Sequence, residues 1–328
     1  MGHMTRRGII LFASLGVIWG IPYLFIKVAV AELSPEMLVL GRSLLAALIL
    51  LPLAAYRREL APVLRKWRPL AAFALVEIVL PWYFLGSAEM SLPSSTTGLL
   101  LAAVPLAAVG VAFVFGRRDR ITAVNALGIV IGMLGVAAIV GLDLGGSDLG
   151  SVAKLLIVVV GYALGPAILA RWMSELPGVG VMACALGLSA LVYLPVVAIT
   201  GGWPRSVPSF PVVGSVIVLA VVCSALAFVV MFALVAEIGP IRMTAITYVN
   251  PAVAVIAGAI VLSEPITVWT IVGFALILIG CALVTRPDTN AASRGRPAVF
   301  ASSREPGSAA QEPPARADDS PVGPTAVP

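Results

Sequence analysis

Charged side chains are scarce in this chain: Asp, Glu, Lys and Arg make up 11% of its 328 residues, less than half the share usual in soluble domains. That deficit excludes an ordinary water-soluble globule, because 60% hydrophobic residues leave more apolar surface than a soluble core can hide. His3 is the only histidine, so serine–histidine catalysis and histidine-bound metal centres fall away. No Asp lies within an apolar run, which excludes a paired-aspartate intramembrane protease. A GxxxxGK[ST] loop to cradle a nucleotide phosphate is missing too. Cysteine is sparse, and Cys184, Cys223 and Cys281 all fall in apolar runs. They read as small buried hydrophobes rather than as disulfides or metal ligands. The expectation is a non-enzyme with no metal and no cofactor.

What the chain does contain is ten apolar runs, at about 8–28, 37–55, 69–88, 95–115, 122–140, 151–170, 179–199, 212–236, 244–262 and 268–285. Each is near the length that crosses about 30 Å of hydrocarbon as a helix. The first follows Arg6 and Arg7 but is too long for a signal peptide and reads as a retained helix. The expected fold is an all-α integral membrane protein of ten transmembrane helices. Residues 1–7 form a short cytoplasmic N-terminus, 8–140 and 151–285 two five-helix repeats, and 286–328 a Pro-, Ala-, Ser- and Gly-rich tail. The tail cannot bury enough apolar surface to offset chain entropy and is expected to be disordered.

The formal charge of +5 does not point to nucleic acid, because the cations sit in short loops on one side. Of 21 Lys and Arg, 17 fall on the side of the N-terminus, Arg205 falls opposite, and Lys27, Arg42 and Lys154 lie within runs. Cations accumulate on the cytoplasmic side of membranes, so both termini are expected in the cytoplasm of a plasma-membrane protein.

The two halves also match one another. Ile121-Thr122, Gly128, Gly135 and Ala137 overlie Ile266-Thr267, Gly273, Gly280 and Ala282 at a constant offset of 145, with Asp119 over Glu264. Upstream, Ala88-Glu89 overlies Ala236-Glu237, Pro93 overlies Pro240, Pro22 overlies Pro166 and Leu51-Pro52 overlies Leu194-Pro195. Five spans per half is an odd number, so the second half enters the membrane from the opposite side. Such inverted repeats suit alternating access around a midplane site.

Ile18-Trp19-Gly20 followed by Lys27, Arg42 within Gly41-Arg42-Ser43-Leu44-Leu45-Ala46, and Tyr248, Asn250 and Pro251 leading through Ser263-Glu264-Pro265 to Gly273 and Gly280 together resemble the EamA-type family of the drug/metabolite transporter superfamily. The resemblance covers residues 8 to 285. The first half departs from it, with Asp119 in place of the Glu and Arg117-Arg118 in place of the Gly. The resemblance implies ten helices as two inverted five-helix repeats and the export of small metabolites, with cargo held between spans one, three, four, six, eight and nine.

Glu77 stands out among the candidate site residues. It lies mid-span, where an ionised carboxylate costs several kcal/mol unless it is paired, hydrated or protonated. It is either a coupling site or a contact for a substrate amine, or it forms a structural ion pair with Arg42 or Lys154. Trp19, Tyr23 and Lys27 share one helical face: the two rings could line a cavity, whereas Lys27 could equally snorkel to the interface. Thr244, Thr247, Tyr248 and Asn250 make span nine polar, and Trp82, Tyr83 and Tyr162 are weaker cavity candidates. Pro22, Pro105, Pro166 and Pro251 each remove a backbone donor mid-span and are candidate hinges. Gly128 with Gly132, and Ala254 with Gly258, have the spacing of close helix packing, within one subunit or across a homodimer. The expected partners are a small-molecule substrate and membrane lipid, and the expected activity is secondary or facilitative export of an amino acid or related compound, with proton coupling at Glu77. The competing reading is a non-transporting partner-binding or sensory module.

Overall fold

Capping and proline placement set where the helices begin. The Ser34 hydroxyl accepts the Met37 amide at 3.3 Å with Pro35 as the first helical residue, and Asp148 accepts the Ser151 amide at 3.1 Å, each satisfying a donor that a helix start leaves open. The computed structural model describes residues 5–114, 123–143, 148–239, 243 and 246–284. Arg117, Arg118, Asp119, Pro240, Thr244 and the tail from residue 286 lie outside the described residues. Among those described, no strand occurs, and eight helices are long and apolar enough to cross a membrane: α1 Arg6–Ala29, α2 Pro35–Tyr56, α3 Trp67–Glu89, α4 Ser94–Ala112, α5 Ala123–Gly141, α6 Leu149–Trp172, α7 Gly178–Thr200 and α8 Phe210–Ile238. Two shorter apolar helices follow, α9 Ile246–Val261 and α10 Val268–Val284, of 16 and 17 residues. Their helical rise is about 24 and 26 Å, somewhat less than a hydrocarbon core.

Several helices are not regular. In α1 the helix stops at Gly20 and restarts at Pro22, with Ile21 between. In α4 a break separates Ser94–Leu101 from Val104–Val114, next to Pro105, and the Ala102 and Ala103 amides make tight bonds to carbonyls three residues back. The helices run on through Pro166 and Pro251. Thus the matched prolines interrupt helices in the first half and lie within unbroken helices in the second. A π-turn at Leu75–Val79 places Glu77 at its centre. Pro81 follows and has no amide to bond the Glu77 carbonyl, and the wider turn accommodates that missing bond. A second π-turn spans Val221–Leu226 in α8.

Packing brings the two halves together along two seams. α2 lies against α7, with the Ser43 and Ser189 hydroxyls 3.0 Å apart and fully buried. α5 lies along α10, where a Cβ added at Gly128 would stand 2.8 Å from the Gly280 carbonyl and one at Gly135 2.7 Å from the Gly273 carbonyl. Only glycine permits that approach. The small-residue face of α5 is therefore used within one chain. Gly16 and Gly20 of α1 similarly receive Val249 and Val253 of α9. The outward faces carry apolar side chains, such as Leu44 and Leu48 on α2, Leu127 and Leu134 on α5 and Ile271 and Ile279 on α10, a surface suited to lipid rather than water.

Candidate functional site

Two hydrophobic clusters divide the interior, one around α2, α3 and α7 and the other around α1, α4 and α6, and Tyr162 packs against both. At their junction lies Arg42, 7% exposed. Its guanidinium sits 3.6 Å from the centroid of the Trp82 ring, and its Nε donates to the Ser224 hydroxyl at 3.0 Å. Ser224 can accept because its own hydrogen is directed at the Leu219 carbonyl, 2.8 Å away, within the π-turn of α8. A cation held this way is compensated by ring quadrupole and dipole rather than by a carboxylate. Tyr162, Tyr23 and Glu89 lie within electrostatic range of it.

Glu77 approaches from α3. Its Oε2 is buried without a hydrogen-bond partner among the described residues, and it rests on Gly165, where any added Cβ would collide with that oxygen. Gly161, one turn earlier, faces the Val76 carbonyl in the same close fashion. The ion pairs seen among the described residues involve neither Arg42 nor Lys154, so the structural pairing considered for Glu77 is not formed. Tyr162 instead is within electrostatic range of both Glu77 and Arg42.

The other sequence-derived candidates divide into groups. Trp82 and Tyr162 join the Arg42 cluster, and Tyr23 borders it while packing on Gly98. Trp19 packs edge-on against Phe228, ring centroids 6.4 Å apart, in a third cluster with Leu15 and Leu234. Tyr83 stacks on Tyr193 at 6.4 Å. Thr247 and Tyr248 open α9, with Tyr248 packed against the α1–α4–α6 cluster. Asn250, with its amide nitrogen turned toward the helix, donates to the Ile246 carbonyl at 3.1 Å and the Gly16 carbonyl at 3.2 Å, joining α9 to α1. Lys27 does not snorkel: its Nζ donates to the Glu89 and Leu92 carbonyls at 2.7 and 2.9 Å, closing the end of α3 as a cation suits a helix C-terminus. Ser224 and Glu89 were missed as site residues. Glu89 left only its place in the repeat as a signal, and Ser224 left none.

Glu264 holds the loop between α9 and α10 against the start of α4. Its two carboxylate oxygens accept the Ser94 and Ser95 amides at 2.7 and 2.9 Å, a helix cap supplied from 170 residues away. Burial opposes its ionisation, but hydrogen bonds from Ser95 and Ser94 prevail and hold the carboxyl below its ordinary value. At the same end Glu32 accepts the Ser209 amide at 2.8 Å, and hydrogen bonding from the Ser209 side chain and then its amide lowers the Glu32 carboxyl likewise. At the opposite end Lys66 bonds Glu175 and the Trp172 carbonyl. A pocket of about 430 Å³ lies between Glu32, Ser34, Trp203 and Arg205. Another of about 320 Å³ lies laterally among Phe25, Phe210, Gly214 and Val218. Neither is lined by Arg42, Trp82, Tyr162 or Glu77.

A bundle of apolar helices with apolar outer faces and charged groups gathered in its interior is a multi-pass membrane protein with a polar core. Its family follows from comparison: the model of the EamA-like transporter family matches residues 6–141 and again 150–286, and the chain belongs to that family. It is 30% identical over 282 residues to the "Uncharacterized inner membrane transporter YedA" of Escherichia coli (strain K12), covering 84% of this chain and 89% of that one. It is 27% identical over 288 residues to the "Uncharacterized transporter YvbV" of Bacillus subtilis (strain 168), covering 85% and 91%. A solved crystal structure superposes with a TM-score of 0.61 at 17% identity, over 88% of this chain and 98% of the other, a likeness of fold.

Proposed function

We propose that this protein is a secondary or facilitative carrier of the plasma membrane that exports a small metabolite, an amino acid or related compound, by alternating access. The observation that carries the reading is the Arg42–Trp82–Tyr162–Glu77 cluster. Among the described residues only one of the five guanidinium N–H groups of Arg42 is committed, to Ser224, leaving donors for a substrate carboxylate. Glu77 offers a carboxylate oxygen without a protein donor, suited to a substrate ammonium or to a proton. Tyr162 is within electrostatic range of both, and a compact zwitterion would engage the two charges beside its ring.

The two-repeat architecture is supported by the α5–α10 seam. Under the 145-residue offset Gly128 maps onto Gly273 and Gly135 onto Gly280. The contacts Gly128–Gly280 and Gly135–Gly273 therefore exchange with one another, as a two-fold axis in the membrane plane requires. On this reading α9 and α10 complete ten spans, residues 8–140 and 151–285 are the repeats, and both termini lie in the cytoplasm. Pro22, Pro105, Pro166 and Pro251 sit where the lining helices α1, α4, α6 and α9 would flex.

The test is reconstitution into liposomes with a panel of labelled amino acids and related metabolites, with and without a pH gradient. Movement above that in empty vesicles is expected for at least one compound. Glu77→Gln should abolish the response to the pH gradient while leaving expression and folding intact. That neither pocket reaches Arg42 favours the second reading, a non-transporting module. A complete lack of flux with a ligand still shifting thermal stability would select it.

A further inference from the structure

Glu89 is the most completely enclosed charged residue of the described chain, 0% exposed at the end of α3. Neither of its carboxylate oxygens has a hydrogen-bond partner among the described residues. A buried carboxylate without donors is costly as an anion and tolerable as a neutral acid. The compensating cation is nonetheless adjacent. Lys27 uses two of its three ammonium hydrogens on the Glu89 and Leu92 carbonyls, and the third is not bonded to the Glu89 carboxylate, which forms no ion pair here. From the α9–α10 loop the group facing Glu89 is Glu264, from α2 it is Arg42, and from α1 and α6 they are Tyr23 and Tyr162. Glu264 is committed to the Ser94 and Ser95 amides. Arg42 keeps guanidinium hydrogens beyond the one on Ser224, but Lys27 is the cation already bonded to the Glu89 backbone, with its third hydrogen to offer.

We propose that Glu89 is a second proton-binding site of the carrier, distinct from Glu77, where a proton from water and the third hydrogen of Lys27 compete for one carboxylate. This rests on the transporter reading and adds to it. Glu77 and Glu89 are twelve residues apart in the sequence, about 18 Å along the helix, and Tyr162 is within electrostatic range of both. Protonated, Glu89 leaves Lys27 holding only backbone carbonyls. Deprotonated, it draws in the ammonium and fastens α1 to α3 through both backbone and side chain, the proton returning to water. Proton occupancy at this end of the bundle thereby sets how tightly α1 and α3 are joined.

The test needs no substrate. The full chain in lipid nanodiscs is titrated between mildly acidic and mildly alkaline pH while the protonated-carboxyl band is followed by infrared difference spectroscopy. The expected result is a reversible component that survives Glu77→Gln and disappears in Glu89→Gln. Lys27→Gln keeps donors for the two carbonyls and removes the competing charge, so it should tighten proton binding about tenfold, one pH unit. A Glu89→Gln titration identical to wild type overturns the proposal, as does a Glu89 component that never titrates. Should Glu89→Gln fail to fold, an unmoved titration in Lys27→Gln overturns it as well. Liposome flux measures the transporter reading separately, so the two can fail independently.

Discussion

Arg42 concentrates most of what a single residue contributes here. Its charge is buried, yet ring and hydroxyl compensate it, so its planar shape matters as much as its sign. Arg42→Lys keeps the charge and loses the stacked plane over Trp82. We expect it to destabilise the protein by about 1–2 kcal/mol and to reduce flux, measured by thermal unfolding in detergent and by liposome uptake. Gly165→Ala makes the opposite intervention, adding one methyl group where the Glu77 oxygen lies. Overpacking of this kind costs about 1–3 kcal/mol, and Glu77 should be displaced, with the pH response of transport lost in proportion. Arg42 could be recognised from sequence as a cation in an apolar run, and Glu77 as an acid in one. Their surroundings could not: Ser224 is 182 residues from Arg42, and nothing in a lone serine announces such a pairing. Likewise Trp82 and Tyr162 were visible as ring-bearing positions, whereas Tyr83 and Trp19 look identical in sequence and pack elsewhere.

At the scale of helices, the ends are held by partners distant in sequence. Glu264 caps α4, and because its folded carboxyl titrates below its ordinary value, the sign of the pH effect is fixed. The tie is fully present above the ordinary value of 4.5 and is lost as pH falls through the lower folded value. Its contribution, discounted for solvent, is about 0.5–1 kcal/mol. Glu264→Ala should therefore lower the unfolding temperature at neutral pH and lose that difference in acid, a comparison that thermal scans at two pH values provide. The α5–α10 seam is less forgiving. Gly135→Val would force the Gly273 backbone away, and we expect a loss of about 3 kcal/mol or more, read as failure to express in folded form. Hydropathy located the helices to within a few residues because burial in lipid depends on composition alone. It could not locate the π-turns or decide which prolines interrupt a helix, since those depend on whether a neighbouring backbone supplies the freed groups.

For the whole molecule, charge asymmetry predicts the orientation: a reporter fused after residue 328 should be active only in the cytoplasm. Activity on the outer side would invert the assignment. The repeat was legible because its glycines and prolines recur in order, and the seam of α5 with α10 gives those recurrences a geometric meaning. The helix breaks beside Pro22 and Pro105, set against the unbroken helices at Pro166 and Pro251, carry a consequence for energetics. Were the halves mechanically identical, the two access states would be mirror exchanges of equal free energy, each populated half the time without cargo. Here the matched prolines break helices in one half and not in the other, so exchanging the shapes of the halves does not return the same energy. If the protein works by alternating access as proposed, its empty form should rest facing one side, and its cargo or a proton must supply the difference in affinity that turns it to the other.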